Sequence, residues 1–217
     1  MRTQPDPVLH APMPGAEGLA EPLRSRWSPS IFDARHRLTA HEIALLLHAA
    51  QWAPSSGNLQ PWRFIVCERG DAGHQALVPH LSRGNSGWVP RASLVLLAVT
   101  QVADEPERLE DVRPTDADVN LYGLGLAAAQ VVLQAQAMDL PAHQFGGFDK
   151  VAVAEVLGIP DWWRLVAGIA VGQRGEPGEV AERDQEREQR VRSRKPVTEI
   201  AFSGRWGVPW GPLTTQM

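Results

Sequence analysis

The chain has 217 residues, 43% of them hydrophobic, enough to bury a full core in one domain. Its formal net charge of -4 provides no basic field for a polyanion, so nucleic acid is not an expected partner. The single cysteine, Cys67, excludes an intrachain disulfide and a thiolate metal cluster within one chain.

Residues 1–22 are rich in Pro, Gly and Ala without a period, and read as a mobile tail that cannot offset its chain entropy by burial. They contain no apolar signal core, and the longest apolar runs, such as LVLLAV at 94–99, fall short of a bilayer span. A soluble, cytoplasmic protein with no membrane partner is expected. Regular structure should start near Arg24. Thr39 with Glu42 is a capping-box signal, followed by Ile43, Leu46, Leu47 and Ala50 at helical spacing. That helix should stop before Pro54. Two strand patterns follow, RFIVCE at 63–68 and LVLLAVT at 94–100, with a helical stretch over 71–82 between them.

The most helical segment runs from Asp118 to about Met138. Its small residues, Gly123, Gly125, Ala127, Ala128 and Ala129, suit close packing in the core or across a dimer axis. FGGFD at 145–149 precedes a short helix closed by Gly158, and LVAGIAVG at 165–172 is a third strand. Residues 179–195 mix both charges densely and read as a solvated helix or linker. The aromatic and Gly/Pro-rich end reads as an arm that needs a surface to lie on. The implied division is a tail over 1–22, one domain over 23–200 and an arm over 201–217.

Three motifs fail on context. Gly123, Gly125 and Ala128 fit a dinucleotide fingerprint, but lie inside a helix instead of after a strand. His41 and Glu42 begin a zinc-protease pattern whose next histidine, His48, is out of place. No nucleophile elbow occurs, and no histidine has a partner at metal-ligand spacing, so no metal is expected. Polar stretches beside strand or helix ends remain. Arg24, Arg26, Ser28 and Ser30 offer guanidinium and hydroxyl donors suited to a phosphate, although a solvated loop would look the same. In APSSGNLQPWRF at 53–64, Ser55, Ser56, Asn58 and Gln60 carry groups suited to a heterocycle with carbonyls and ring nitrogens.

The order of these pieces resembles the flavin-dependent nitroreductase family from about Arg24 to Lys195. Ala53 to Val66 is similar nearly letter for letter to that family's most specific stretch, a helix ending in A-P-S-S-x-N-x-Q-P-W-x-F-I-V. The resemblance implies that Pro54, Ser55, Ser56, Asn58 and Gln60 lie against the flavin ring of FMN across a dimer interface. It implies that Asn85 bonds the pyrimidine edge and that Gly146 and Gly147 approach N5. It also implies that Arg26 and Ser28, with Arg192 and Arg194, hold the phosphate, and that Trp27, between Arg26 and Ser28, belongs to the cofactor-binding residues. Trp27 stands where many members have a basic residue, Trp88 where some carry a lysine, and Gly146 where better-known members are acidic.

The implied fold is α+β, a central, mainly antiparallel sheet flanked by helices in an intertwined homodimer. The implied activity is FMN-dependent NAD(P)H oxidation, with hydride passing through flavin N5 to a small electron acceptor such as a nitroaromatic or quinone, and with no catalytic side chain. Two alternatives stay open: a flavin-storage protein with little turnover, and an FMN enzyme of other redox chemistry, such as dehydrogenation or reductive dehalogenation.

Overall fold

Leu94–Gln101 (β2) is apolar at nearly every position, and a strand can be buried in that way only if both faces of its sheet are covered. The computed structural model, which describes residues 13–107 and 114–211, covers both. Strands β1 (Trp62–Glu68), β2, β3 (Ala142–Phe145) and β4 (Trp163–Val171) form one sheet in the order β1-β2-β4-β3. Every neighbouring pair is antiparallel.

The helices are α1 (Glu21–Ser25), α2 (Ala40–Gln51), α3 (Ala72–Leu77), α4 (Ala117–Ala137), α5 (Lys150–Val156) and α6 (Glu182–Glu188). Alternate β2 residues serve opposite layers. Leu94, Leu96 and Ala98, with Ile169 and Val171 of β4, pack against Leu46 of α2 and Leu124, Val131 and Ala135 of α4. Val95, Leu97 and Val99, with Leu165 and Ala170, join Leu77 of α3, Val153 of α5 and the indole of Trp88. Gly168 makes room within the sheet, since a Cβ there would stand 2.3 Å from the Phe145 ring.

Local signals place the helix starts. The Thr39 hydroxyl accepts from the Glu42 amide at 3.2 Å, and the Glu42 carboxylate accepts from the Thr39 amide at 2.7 Å, which completes the expected capping box. Asp116 caps α4 by accepting from the amides of Asp118 and Val119. Along α4, Gly123 lies beside Pro61 and Trp62, but a Cβ there would stand 3.6 Å from the Trp62 ring, an ordinary contact that does not require glycine.

Several expectations need correction. A fourth strand, β3, was not anticipated, and β4 begins two residues early at Trp163. The helix expected over 71–82 stops at Leu77 and tightens into a 3-10 turn, Val78–His80, containing Pro79. Helix α1 begins at Glu21, inside the stretch read as a tail, and Ala16 is buried. The rest of that tail, residues 1–12, and the last part of the arm, 212–217, lie outside the described residues. Within the described arm, Phe202 pairs with Pro209 across a tight turn, and the Phe202 ring packs on Trp206. Among the described residues, no helix is long and apolar enough to cross a membrane. No group of histidines, cysteines and carboxylates could hold a metal ion there.

Candidate functional site

The loop between α2 and β1 departs from ordinary backbone geometry. Gly57, Asn58 and Gln60 have φ of 57°, 57° and 48°, in the left-handed region that costs most residues energy. Asparagine tolerates that region better than glutamine, so Gln60 is the strained member. Side chains hold the conformation. Ser55 Oγ accepts from the Gln60 amide at 3.0 Å, and Gln60 Nε2 donates to Asn58 Oδ1 at 3.0 Å. Pro54, Ser56 and Asn58 are exposed, Ser55 and Gln60 partly so. Asn58 and Gln60, with Gln51, Trp52 and Ala53, line a cavity of about 320 Å³. A strained, braced and solvent-facing loop is a feature that a folded core does not require, and such strain concentrates at binding sites.

A second cavity, about 310 Å³, brings together segments far apart in sequence. Arg26, Trp27 and Ser28 from the stretch after α1 meet Arg192 and Arg194 from the stretch after α6, as the sequence led us to expect. Arg187 and Arg190 join them, a contribution that the sequence did not disclose. Burial, with the charge of Arg194, depresses the Arg26 guanidinium below its ordinary range. Burial and Arg26 push Arg192 down to about 10. Like charges are therefore crowded in partly dry surroundings, and an oxyanion entering the cavity would relieve both costs.

Glu188 is the one carboxylate among the residues described as lining that cavity, and it is only 4% exposed. It accepts hydrogen bonds from the indole Nε1 of Trp27, at 3.1 Å, and from the Ser30 amide. The Arg174 guanidinium lies 5.9 Å from the centre of the Trp27 ring. Asp184, one helical turn before Glu188, is also buried, beside Arg183 and Arg187 at 3.8 Å each. The expectation of a solvated helix or linker over 179–195 therefore fails in part at α6, where Asp184 and Glu188 face inward while Glu182 and Glu186 are exposed.

The third group lies where α6 meets the core. Asn85 Nδ2 donates to the Gly147 carbonyl at 3.0 Å, and Asn85 Oδ1 accepts from Trp88 Nε1 at 3.3 Å. Trp88 is wholly buried and stacks on His143 at 4.2 Å between ring centres, so it presents no polar group to a ligand. His143 in turn bonds the Pro29 carbonyl at 2.7 Å, beside the arginine cavity. A Cβ on Gly147 would stand 2.7 Å from Ser82 Oγ and 2.8 Å from Asn85 Nδ2, so glycine is required there by the protein's own packing. Gly146 is exposed and its nearest side-chain atom is Lys150 Nζ, 3.9 Å from where a Cβ would be, which leaves room for close approach. Arg187 donates to the Gly84 carbonyl at 3.3 Å and thus ties this group to the arginine cavity. The loop over 54–60 lines its own, separate cavity.

The chain is similar to known proteins in sequence and in fold. The model of the nitroreductase family matches residues 23–85 and 73–173. A solved structure described as an oxidoreductase containing FMN superposes with a TM-score of 0.76 at 31% identity, covering 84% of this chain and 90% of that one. An uncharacterized 15.4 kDa protein of Mycolicibacterium smegmatis is 35% identical over 155 residues, 68% of this chain and 99% of its own length. The oxygen-insensitive NADPH nitroreductase of Helicobacter acinonychis is 28% identical over 163 residues, 62% of this chain and 77% of that protein. With its antiparallel sheet, its braced A-P-S-S loop and a match over residues 23–173, the chain belongs to the nitroreductase family.

Proposed function

We propose that this chain is an FMN-dependent NAD(P)H oxidoreductase that reduces a small, electron-poor acceptor such as a nitroaromatic or quinone. The observation that carries the reading is the arginine cavity, where Arg26 and Ser28 converge with Arg192 and Arg194 although more than 160 residues separate them in sequence. A phosphate bearing nearly two negative charges suits that cavity, because guanidinium forks bind its oxygens and neutralise crowded cations. Bound FMN supplies hydride transfer between a nicotinamide and the acceptor.

The residues of the chain bind and orient. Ser55, Ser56, Asn58 and Gln60 form a rigid polar shelf for the flavin ring, and Pro54 stiffens its entrance. Asn85 fixes the turn at Gly146 and Gly147, and the open side of Gly146 admits the ring. Trp27 contributes to the phosphate end through its bond to Glu188 and not through a charge. No side chain of this set is assigned as an acid, base or nucleophile.

The working unit is a homodimer. Trp52 is 82% exposed and Tyr122 72% exposed, and Trp52 borders the loop cavity. Apolar surface of this kind, beside a shelf separate from the phosphate cavity, suits a site completed by a second copy. An absorption spectrum of the purified protein, before and after anaerobic addition of NADPH and then NADH, tests the reading together with light scattering. Flavin peaks that bleach with a nucleotide on a dimeric particle support it. A colourless protein that takes up no added FMN refutes it.

A further inference from the structure

We infer that Glu188 is a positioning residue for the flavin phosphate, a buried carboxylate that locks the Arg26, Trp27 and Ser28 arm onto the end of α6. This inference rests on the flavin reading above. Its basis is geometric. The two Glu188 oxygens take different donors, one the Trp27 indole and the other the Ser30 amide, which brackets the arm on both sides of Ser28. Those partners lie 161 and 158 residues away in sequence, so the contact joins the two halves of the cavity. Arg187 precedes Glu188 directly, and Arg190, Arg192 and Arg194 follow shortly after it. Fixing Glu188 therefore fixes the end of α6 from which the C-terminal segment carries its arginines to the cavity.

A buried carboxylate in an anion site looks self-defeating, since its charge opposes the ligand. It becomes reasonable if positioning outweighs repulsion. The neutral amide variant Glu188→Gln decides between the two by sign. It keeps size and shape but has one accepting oxygen where the carboxylate has two, so it cannot take the Trp27 indole and the Ser30 amide on separate oxygens as Glu188 does. It also removes the negative charge. If Glu188 acted only as a charge, FMN would bind more tightly to the variant. If it positions the arm, FMN binds more weakly, while riboflavin, which lacks the phosphate, is unaffected.

The experiment is a fluorescence titration of flavin-free wild type and Glu188→Gln with FMN and with riboflavin. The expected result is a fall of about tenfold in the FMN-to-riboflavin affinity ratio, the order of one lost hydrogen bond to a charged group. A second variant isolates the cause. Trp27→Phe keeps a ring but removes the indole donor, so in that background Glu188→Gln should change the ratio by less than about twofold, the two sites being coupled. A ratio that rises in Glu188→Gln, or equal losses for both flavins, overturns the positioning role while leaving the cofactor reading intact. A wild type that binds neither flavin refutes both.

Discussion

Replacing Arg192 with methionine should stabilise the flavin-free protein and weaken its hold on FMN, effects of opposite sign from one side chain. Burial and the neighbouring Arg26 push this guanidinium from its ordinary range down to about 10. Taken at face value that shift represents roughly 3 kcal/mol against the charged form. The group is only part-buried, so solvent screening leaves about 1 kcal/mol. Its compensating contacts are weak, a thioether acceptor in Met13 Sδ at 3.3 Å and a long bond to the Arg26 carbonyl at 3.4 Å, and each contributes no more than a few tenths of a kcal/mol. Methionine keeps much of the apolar stem. Relief of the burial cost, and with it of the repulsion, therefore wins by about 0.5 kcal/mol, a rise of about 1–2 °C in the Tm of a chain this size. Loss of a charge-assisted hydrogen bond to phosphate costs about 1.5–3 kcal/mol, or about 10- to 150-fold in FMN affinity. Thermal melts of the flavin-free protein and titrations with FMN and riboflavin check both halves. A lower Tm, or a riboflavin loss as large as that for FMN, would refute the reasoning. High salt should shrink the gain in Tm, because screening already weakens the repulsion.

Asn58→Ala should cost about 1 kcal/mol in a denaturant melt, because alanine resists the left-handed backbone and drops the bond from Gln60, whereas Asn58→Gly should cost less. Gly168→Ala should destabilise by about 1–3 kcal/mol through collision with Phe145, and Phe145→Leu in the same chain should recover part of that loss. Burial holds His143 below 6.5, with Arg187 and Arg26 adding to it and the Pro29 carbonyl opposing, and burial lowers His74 too. Because the unfolded chain takes up those protons first, stability is full above about pH 6.5 and falls as pH drops below it. His143→Gln should flatten the decline in Tm between about pH 7 and 5.5, and an unchanged slope would show that His143 does not contribute.

The elements that could be read from sequence are those whose cause is local. The capping box of α2 lies within four residues, and the apolar run of β2 states its own burial, so both emerged with their boundaries nearly right. β3 escaped because four residues, with His143 and Gln144 at the centre, carry too little periodic signal. Its placement comes from pairing with β4 and from the stacking of His143 on Trp88. The site divides along the same line. The residue types of the A-P-S-S loop announce a special backbone, and Asn58 in the left-handed region agrees with that, but nothing in the letters singles out Gln60 for the same strain. Asn85 could be placed near a site, yet its engagement by Gly147 and Trp88 depends on contact with a residue 62 positions away. The dense charges of α6 give the clearest case. A pattern of alternating sign is the usual mark of a solvated face, and the same letters serve an inward face once Trp27, Ser30 and the backbone at Gly84 supply donors and acceptors. Charge that looks like solubility in one dimension is, in three, what lines the arginine cavity and holds Trp27 at its wall.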